Sequence, residues 1–409
     1  MNLPFFIARR GLTRQQGGFS SFIIKLAIAA TALSVAVMVL AIAFIQGFKY
    51  EVREKIFSFW GHVVITNYSQ DAADFNLAEA IRYDPHLVEQ VRQLQHVEQV
   101  VPFIVRPAIL KTANDMEGIK LKGISNDYSF ADRVGLEGKK ISFSDTDYSR
   151  EILLSQSTAD KLNLRVGDDL QLYFIEKGNT TPRIRKVKLT GIFHTGMEEV
   201  DKSYALCDIR MLQRINNWSR EEINGYQVDL EEEKYMDAVS DRIFQDYLEA
   251  PLHSYTMKEV YINVFDWLQL QNLNAQIVLI IMAVVATINL AVATVILIVE
   301  QSKLIGILKA LGMRFHRIMQ LFMYHAVTIA FFGIVCGNAL ALTVCFLQLK
   351  TGFMKLDETT YYMSQVPVRI HFWDILWIDM ATLMFCMLFM WLPTLYIRRI
   401  QPVKVLQFK

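Results

Sequence analysis

The chain has 409 residues, 53% hydrophobic and 20% charged, with 42 basic against 41 acidic side chains. It is too apolar for an ordinary soluble protein and too charged for membrane helices alone, so a few spans plus a sizeable water-facing domain follow. Balanced charge without a basic block excludes a nucleic-acid footprint.

Residues 1–20 combine Phe5, Phe6, Ile7 and Leu12 with Arg9, Arg10 and Arg14. This is the composition of an amphipathic segment on a membrane surface. Residues 21–48 read as the first span, carrying small residues such as Ala29, Ala32 and Ala36 that permit close helix packing in lipid. The run is too long for a signal-peptide core and lacks a small-x-small cleavage site, so an uncleaved anchor is expected. Beyond it, Ile45, Phe48, Val52, Ile56 and Phe59 keep helical spacing among alternating charges. The helix is therefore expected to continue past the bilayer as a stalk.

Residues 49–268 form the predicted outer domain. Strands are predicted at 62–67, at the Val- and Ile-rich run 97–111, and at 118–125, 151–155, 203–208, 225–230 and 253–257. Helices are predicted at 85–96, 158–164, 211–216, 231–248 and 258–268. A hairpin joins 170–176 to 183–193 through a polar loop. The order is mixed α+β, with a β-rich piece at about 125–220 read as an inserted subdomain. Of the four cysteines only Cys207 falls here, so no disulfide can form within the domain. Its length suffices for an apolar core.

Three more runs reach the length of about 20 apolar residues that a bilayer takes. They are 269–299, 318–349 with Gly333-x-x-x-Gly337 and His325, and 372–397 with Asp374 and Asp379. A short outer loop, 350–371, and a tail, 398–409, complete the chain. The expected fold is a membrane protein of four transmembrane α-helices with a large α+β extracytoplasmic domain between the first and second spans. Basic residues cluster near the start, in the middle loop and in the tail, which sets those three segments on the cytoplasmic side.

The middle loop, 300–317, reads EQSKLIGILKALGMRFHR. Leu304, Ile305, Leu308 and Leu311 recur at helical spacing, while Lys303, Lys309, Arg314 and Arg317 add charge. Gly306 and Gly312 keep the surface low, so another backbone can approach closely. Such a helix rests on lipid or enters a groove of a partner protein. No Walker phosphate loop, HExxH, CxxC or G-x-S-x-G occurs. Neither an enzyme nor a metal site is expected of the chain by itself, and it carries no cofactor of its own.

Taken together, the layout and the loop IGILKALGM resemble the permease subunits of the MacB/FtsX-like (type VII ABC) superfamily. FIARR, GFKYEVREKIFSFWGHVVI, LLSQSTADKLNLRVGDDLQL, LTGIFHTGMEEVDKSYALCDI and LPTLYIRRIQPVKVLQF narrow the resemblance to the lipoprotein-releasing LolC/LolE family. The resemblance implies an inner-membrane protein with both termini cytoplasmic and the large domain in the periplasm. It would pair with a second permease subunit, as homo- or heterodimer, on cytoplasmic ABC ATPase subunits that bind ATP and Mg. Lys303, Ile305, Gly306, Leu308, Lys309, Leu311 and Gly312 would form the coupling helix on the ATPase. Met38, Ile42, Ile45, Phe48, Leu279 and Met282 would line a substrate cavity between the first two spans. Lipoproteins extracted from the outer leaflet would pass to a periplasmic carrier caught by a hairpin hook, whose matching residues are Thr181, Pro182 and Arg183. The alternative is a mechanotransmission permease that drives an efflux partner or cell-wall hydrolase without moving lipid.

Overall fold

The computed structural model describes residues 19–69, 79–112, 115–128, 134–144, 147–175, 182–357 and 363–391. Most of the expected surface segment 1–20, the tail 398–409 and Thr181 lie outside them. The chain divides into two compact units. One holds 51–267 and 356–364, the other 1–50, 268–355 and 365–409. The first helix, α1 (Phe19–Trp60), contributes to both and runs unbroken for 42 residues. It stops because Gly61 takes φ +72°, and the Gly61 N–H returns to the Phe57 carbonyl at 2.8 Å. A side chain there would strike Gln227 and Asp229.

The outer unit opens with β1 (Val63–Asn67), β2 (Ile81–Arg82), α2 (Pro85–Arg92), β3 (Val97–Lys111), β4 (Met116–Ile124) and β5 (Gly135–Gly138). Then come β6 (Glu151–Ser155), α3 (Gln156–Lys161), β7 (Asp169–Phe174), β8 (Arg183–His194), α4 (Glu198–Ser203), β9 (Tyr204–Asp208) and α5 (Ile209–Asn216). It closes with β10 (Glu222–Ile223), β11 (Gly225–Leu230), α6 (Met236–Asp246), β12 (Leu252–Thr256) and α7 (Met257–Val260). Short polar residues set the helix starts. Asp84, Ser155 and Asp208 each accept a backbone N–H of the first turn, and Thr256 with Glu259 makes a capping box before α7.

Ten strands share one sheet, in the order β12-β1-β11-β3-β4-β9-β6-β8-β5, with β7 bridging β3 and β8. The pairs β3-β4-β9-β6-β8-β7 return to β3 and close a ring. Closure pairs the ring strands on both sides, while β12 and β5 remain at the ends of the sheet. The first half of β3 pairs with β11 and the second half with β4 and β7. Strands β5 to β9, from the piece expected at 125–220, join the sheet through β4 and the second half of β3, so one 15-residue strand serves both parts. All six residues of β11 and all five of β9 are buried, the polar Gln227, Asp229 and Asp208 among them.

In the membrane unit, α8 (Ile262–Glu300), α9 (Ser302–Ala310), α10 (Phe315–Thr351) and α11 (Phe372–Phe389) follow in turn. The first of these also contributes to the outer unit. Among the described residues four helices, α1, α8, α10 and α11, are long and apolar enough to cross a membrane. The expected close approach at the third span is present. A Cβ on Gly333 would lie 2.7 Å from Thr31, and one on Gly337 would lie 2.6 Å from the Ala32 carbonyl. The two glycines thus let α10 pack directly on α1. A second close approach was not legible in the sequence. Gly47 on α1 meets the Pro367 carbonyl, and the Arg369 guanidinium lies 3.6 Å from the Tyr50 ring centroid. Lys49 Nζ donates to Asn272 Oδ1 at 2.7 Å, joining α1 to α8.

Candidate functional site

The loop helix α9 is cut from its neighbours by specific geometry. Leu311 ends it and Gly312 takes φ +82°. The Met313 N–H bonds the Leu308 carbonyl at 2.9 Å, and the Gly312 N–H bonds the Lys309 carbonyl at 3.0 Å. This crossed pair is a Schellman motif, which demands a left-handed residue. No atom lies within 4 Å of the position a Gly312 Cβ would take. The turn by itself requires glycine at 312, and the surface beside it is open within this chain.

The four leucine and isoleucine positions expected on one face divide between two. Ile305 is fully buried in a cluster with Ile318, Leu321 and Phe322, and Leu308 packs against the same cluster half-buried. Gly306 is buried beside Ile305. Leu304 and Leu311 point outward, Leu311 with 78% of its surface free. Lys303, Ile307 and Ala310 are exposed with them. Positions 303, 304, 307, 310 and 311 make one stripe at helical spacing. Sequence periodicity alone could not separate the two faces, because apolar residues occupy both. Lys309 is half-buried, and desolvation lowers its pKa. Arg314 and Arg317 are exposed just beyond. The arrangement suits docking: Ile305, Gly306 and Leu308 seat the helix on the bundle, and the stripe faces away from it.

The expected cavity residues are packed together. Met38 is buried with Val35, Val39, Ile334, Ala341 and Ile378, while Ile42, Leu279 and Met282 pack against that cluster. Ile45 and Phe48 are half-buried. Within this chain these side chains fill space between helices.

The hairpin of β7 and β8 is present, with Asp169 to Phe174 paired to Lys188 to Arg183. Pro182 is exposed. Arg183, the third residue expected in the hook, is held within the domain. Its Nη1 donates to the Asn217 Oδ1 at 2.9 Å and to the Ile215 carbonyl. It caps the C-terminus of α5, where the carbonyls lack intrahelical donors, so its charge is engaged within the domain.

Two family signatures divide this architecture between them. The MacB-like periplasmic core domain matches residues 26–245, more than half of the chain, and the FtsX-like permease C-terminal region matches 276–402. The chain belongs to the MacB-like periplasmic core domain family. That MacB-like match runs from within α1 into α6, and the FtsX-like match takes in α9. The lipoprotein-releasing system transmembrane protein LolC of Neisseria meningitidis serogroup B is 24% identical, covering 97% of this chain and 96% of that one. LolE of Haemophilus influenzae is 22% identical, covering 99% of each. Among solved structures, the periplasmic region of MacB from Actinobacillus actinomycetemcomitans aligns at 12% identity with a TM-score of 0.35. It covers 50% of this chain and 92% of that one.

Proposed function

We propose that this chain is the permease subunit of an ATP-driven complex in the bacterial inner membrane. It extracts lipoproteins from the outer leaflet and passes them to a periplasmic carrier. The observation that carries the reading is the outward stripe of α9, between the second and third spans, on a chain similar to lipoprotein-releasing permeases over nearly its full length. A short helix seated on one face by Ile305 and open on the other at Leu304, Ile307 and Leu311 is built to receive a partner. In this reading the partner is a cytoplasmic ATPase subunit, which supplies ATP and Mg chemistry, and a second permease subunit completes the complex. Extraction needs that energy source, since each acyl methylene leaving the bilayer costs about 0.8 kcal/mol.

A second reading, force relay without lipid movement, draws on the packing of Met38, Ile42, Leu279 and Met282. A route for acyl chains beside these residues requires the helices to part or the wall to be completed by the second subunit. The test is a pull-down of the tagged protein from detergent-solubilised membranes, with acylated proteins identified by mass spectrometry. Lipoproteins that co-purify with an ATPase and leave on adding ATP support extraction. An ATPase accompanied by a soluble outer enzyme or channel, and by no lipoprotein, overturns extraction in favour of relay.

A further inference from the structure

Lys122 lies on β4 with no exposed surface. An ammonium has three N–H donors, and three acceptors meet this one. They are the Phe59 carbonyl, Gln227 Oε1 at 2.8 Å and the Tyr128 hydroxyl at 3.1 Å. The ring centroids of Trp60, Phe59 and Tyr128 lie 4.4, 4.6 and 4.6 Å from Nζ, within cation–π range. Burying a charge is costly, and the three acceptors and the ring faces offset that cost in part.

The acceptor that matters is the Phe59 carbonyl, in the last turn of α1. Such carbonyls have no donor within the helix. The Tyr128 hydroxyl also donates to it, at 2.8 Å, so two side chains from the β4 region grip the helix end. The surrounding rings tie in the neighbouring strands. Trp60 stands 5.3 Å from Tyr204 on β9 and 6.1 Å from Phe103 on β3, and Phe57 stands 6.1 Å from Phe265 near the start of α8. In turn, β4 pairs with β3 from Met116 to Gly123, and the end of β3 pairs with β7 of the hairpin. The side chain that holds the helix end therefore stands on a strand hydrogen-bonded toward that hairpin.

We propose that Lys122 is a positioning residue that couples α1 to the outer sheet, passing displacement of the helix end into β4 through the Phe59 carbonyl. The driver, ATP-powered movement of α1, rests on the permease reading above. The test uses the full complex with Lys122→Met, which keeps the side-chain length and removes the donors. Hydrogen exchange at 57–61, ATP hydrolysis, thermal midpoint and ATP-driven lipoprotein release are measured together. The expected result is faster exchange in that last turn and at least about tenfold slower release, with hydrolysis and midpoint near wild type. Unchanged exchange refutes the grip, and faster exchange with wild-type release refutes the coupling. Should Lys122→Met fail to fold, Tyr128→Phe removes one of the two donors to the same carbonyl. It is expected to slow release several-fold, and wild-type exchange and release in it overturn the proposal. A wild-type complex that releases no lipoprotein refutes the permease reading, while the exchange comparison still reads the grip.

Discussion

Single residues in this protein take their roles from backbone groups that would otherwise lack partners. Gly312 completes a crossed helix stop, Arg183 closes the end of α5, and Lys122 holds the end of α1. The last carries a pH signature. Desolvation holds the Lys122 pKa well below its ordinary 10.5, and the nearby Asp229 carboxylate opposes the shift in part. Below the lowered value both folded and unfolded states bind the proton, so the cost of burying charge is fully present. Between the lowered value and 10.5 the unfolded state binds more protons, so stability rises with pH through that window. Burial pushes the hydroxyls of Tyr204 and Tyr261, which both lie against Trp60, up, so they stay protonated across it. The expected outcome is that the thermal midpoint of the full chain in detergent, relative to Lys122→Met, climbs as pH goes from neutral toward 10. A difference that stays constant with pH would sink this account.

At the scale of elements, a short helix owes its use to having two unlike faces. On α9, burial of Ile305 fixes rotation about the helix axis and so decides which side chains look outward. Substitutions at Gly306 or Leu308 disturb the seat as well as any docking surface, since Gly306 is buried and Leu308 half-buried. The informative changes are on the open stripe. Leu311→Asp and Ile307→Asp leave the bundle core intact and place a charge where an apolar partner groove would close. Each is expected to lower ATP hydrolysis of the assembled complex about tenfold or more, roughly 1.4 kcal/mol per factor of ten, with an unchanged thermal midpoint. Wild-type hydrolysis in both would show that the ATPase does not dock on α9. The long helices follow the same logic in lipid, where Gly333 and Gly337 bring α10 onto α1 by the absence of side chains.

For the whole molecule, a continuous α1 precedes and a long α8 follows a domain with a ten-stranded sheet among the described residues, and α9, α10 and α11 come after in the chain. Orientation is tested by cysteine labelling in a Cys336→Ser background. Glu137→Cys, exposed on β5, is expected to react with a membrane-impermeant maleimide in cells whose outer membrane alone is permeable. Leu311→Cys is expected to react only after the inner membrane is opened, and the reverse pattern would invert the topology. Much of this architecture was legible from residues 1 to 409. Apolar runs of about 20 residues or more read as spans, and a strand such as 97–111 stands out because a β-branched run bounded by turns leaves few alternatives. The α9 motif was legible as amphipathic, and the GxxxG spacing as a packing face. What periodicity could not supply was anything fixed by partners distant in the chain. The sharing of β3 between two parts of one sheet, the face on which α9 is seated, the engagement of Arg183 and the burial of Lys122 all depend on such contacts. Local spacing determines which helices and strands form, because it reports the hydrogen-bond geometry of neighbours along the chain. Only the tertiary structure decides which polar groups are left without water and which side chains must serve them.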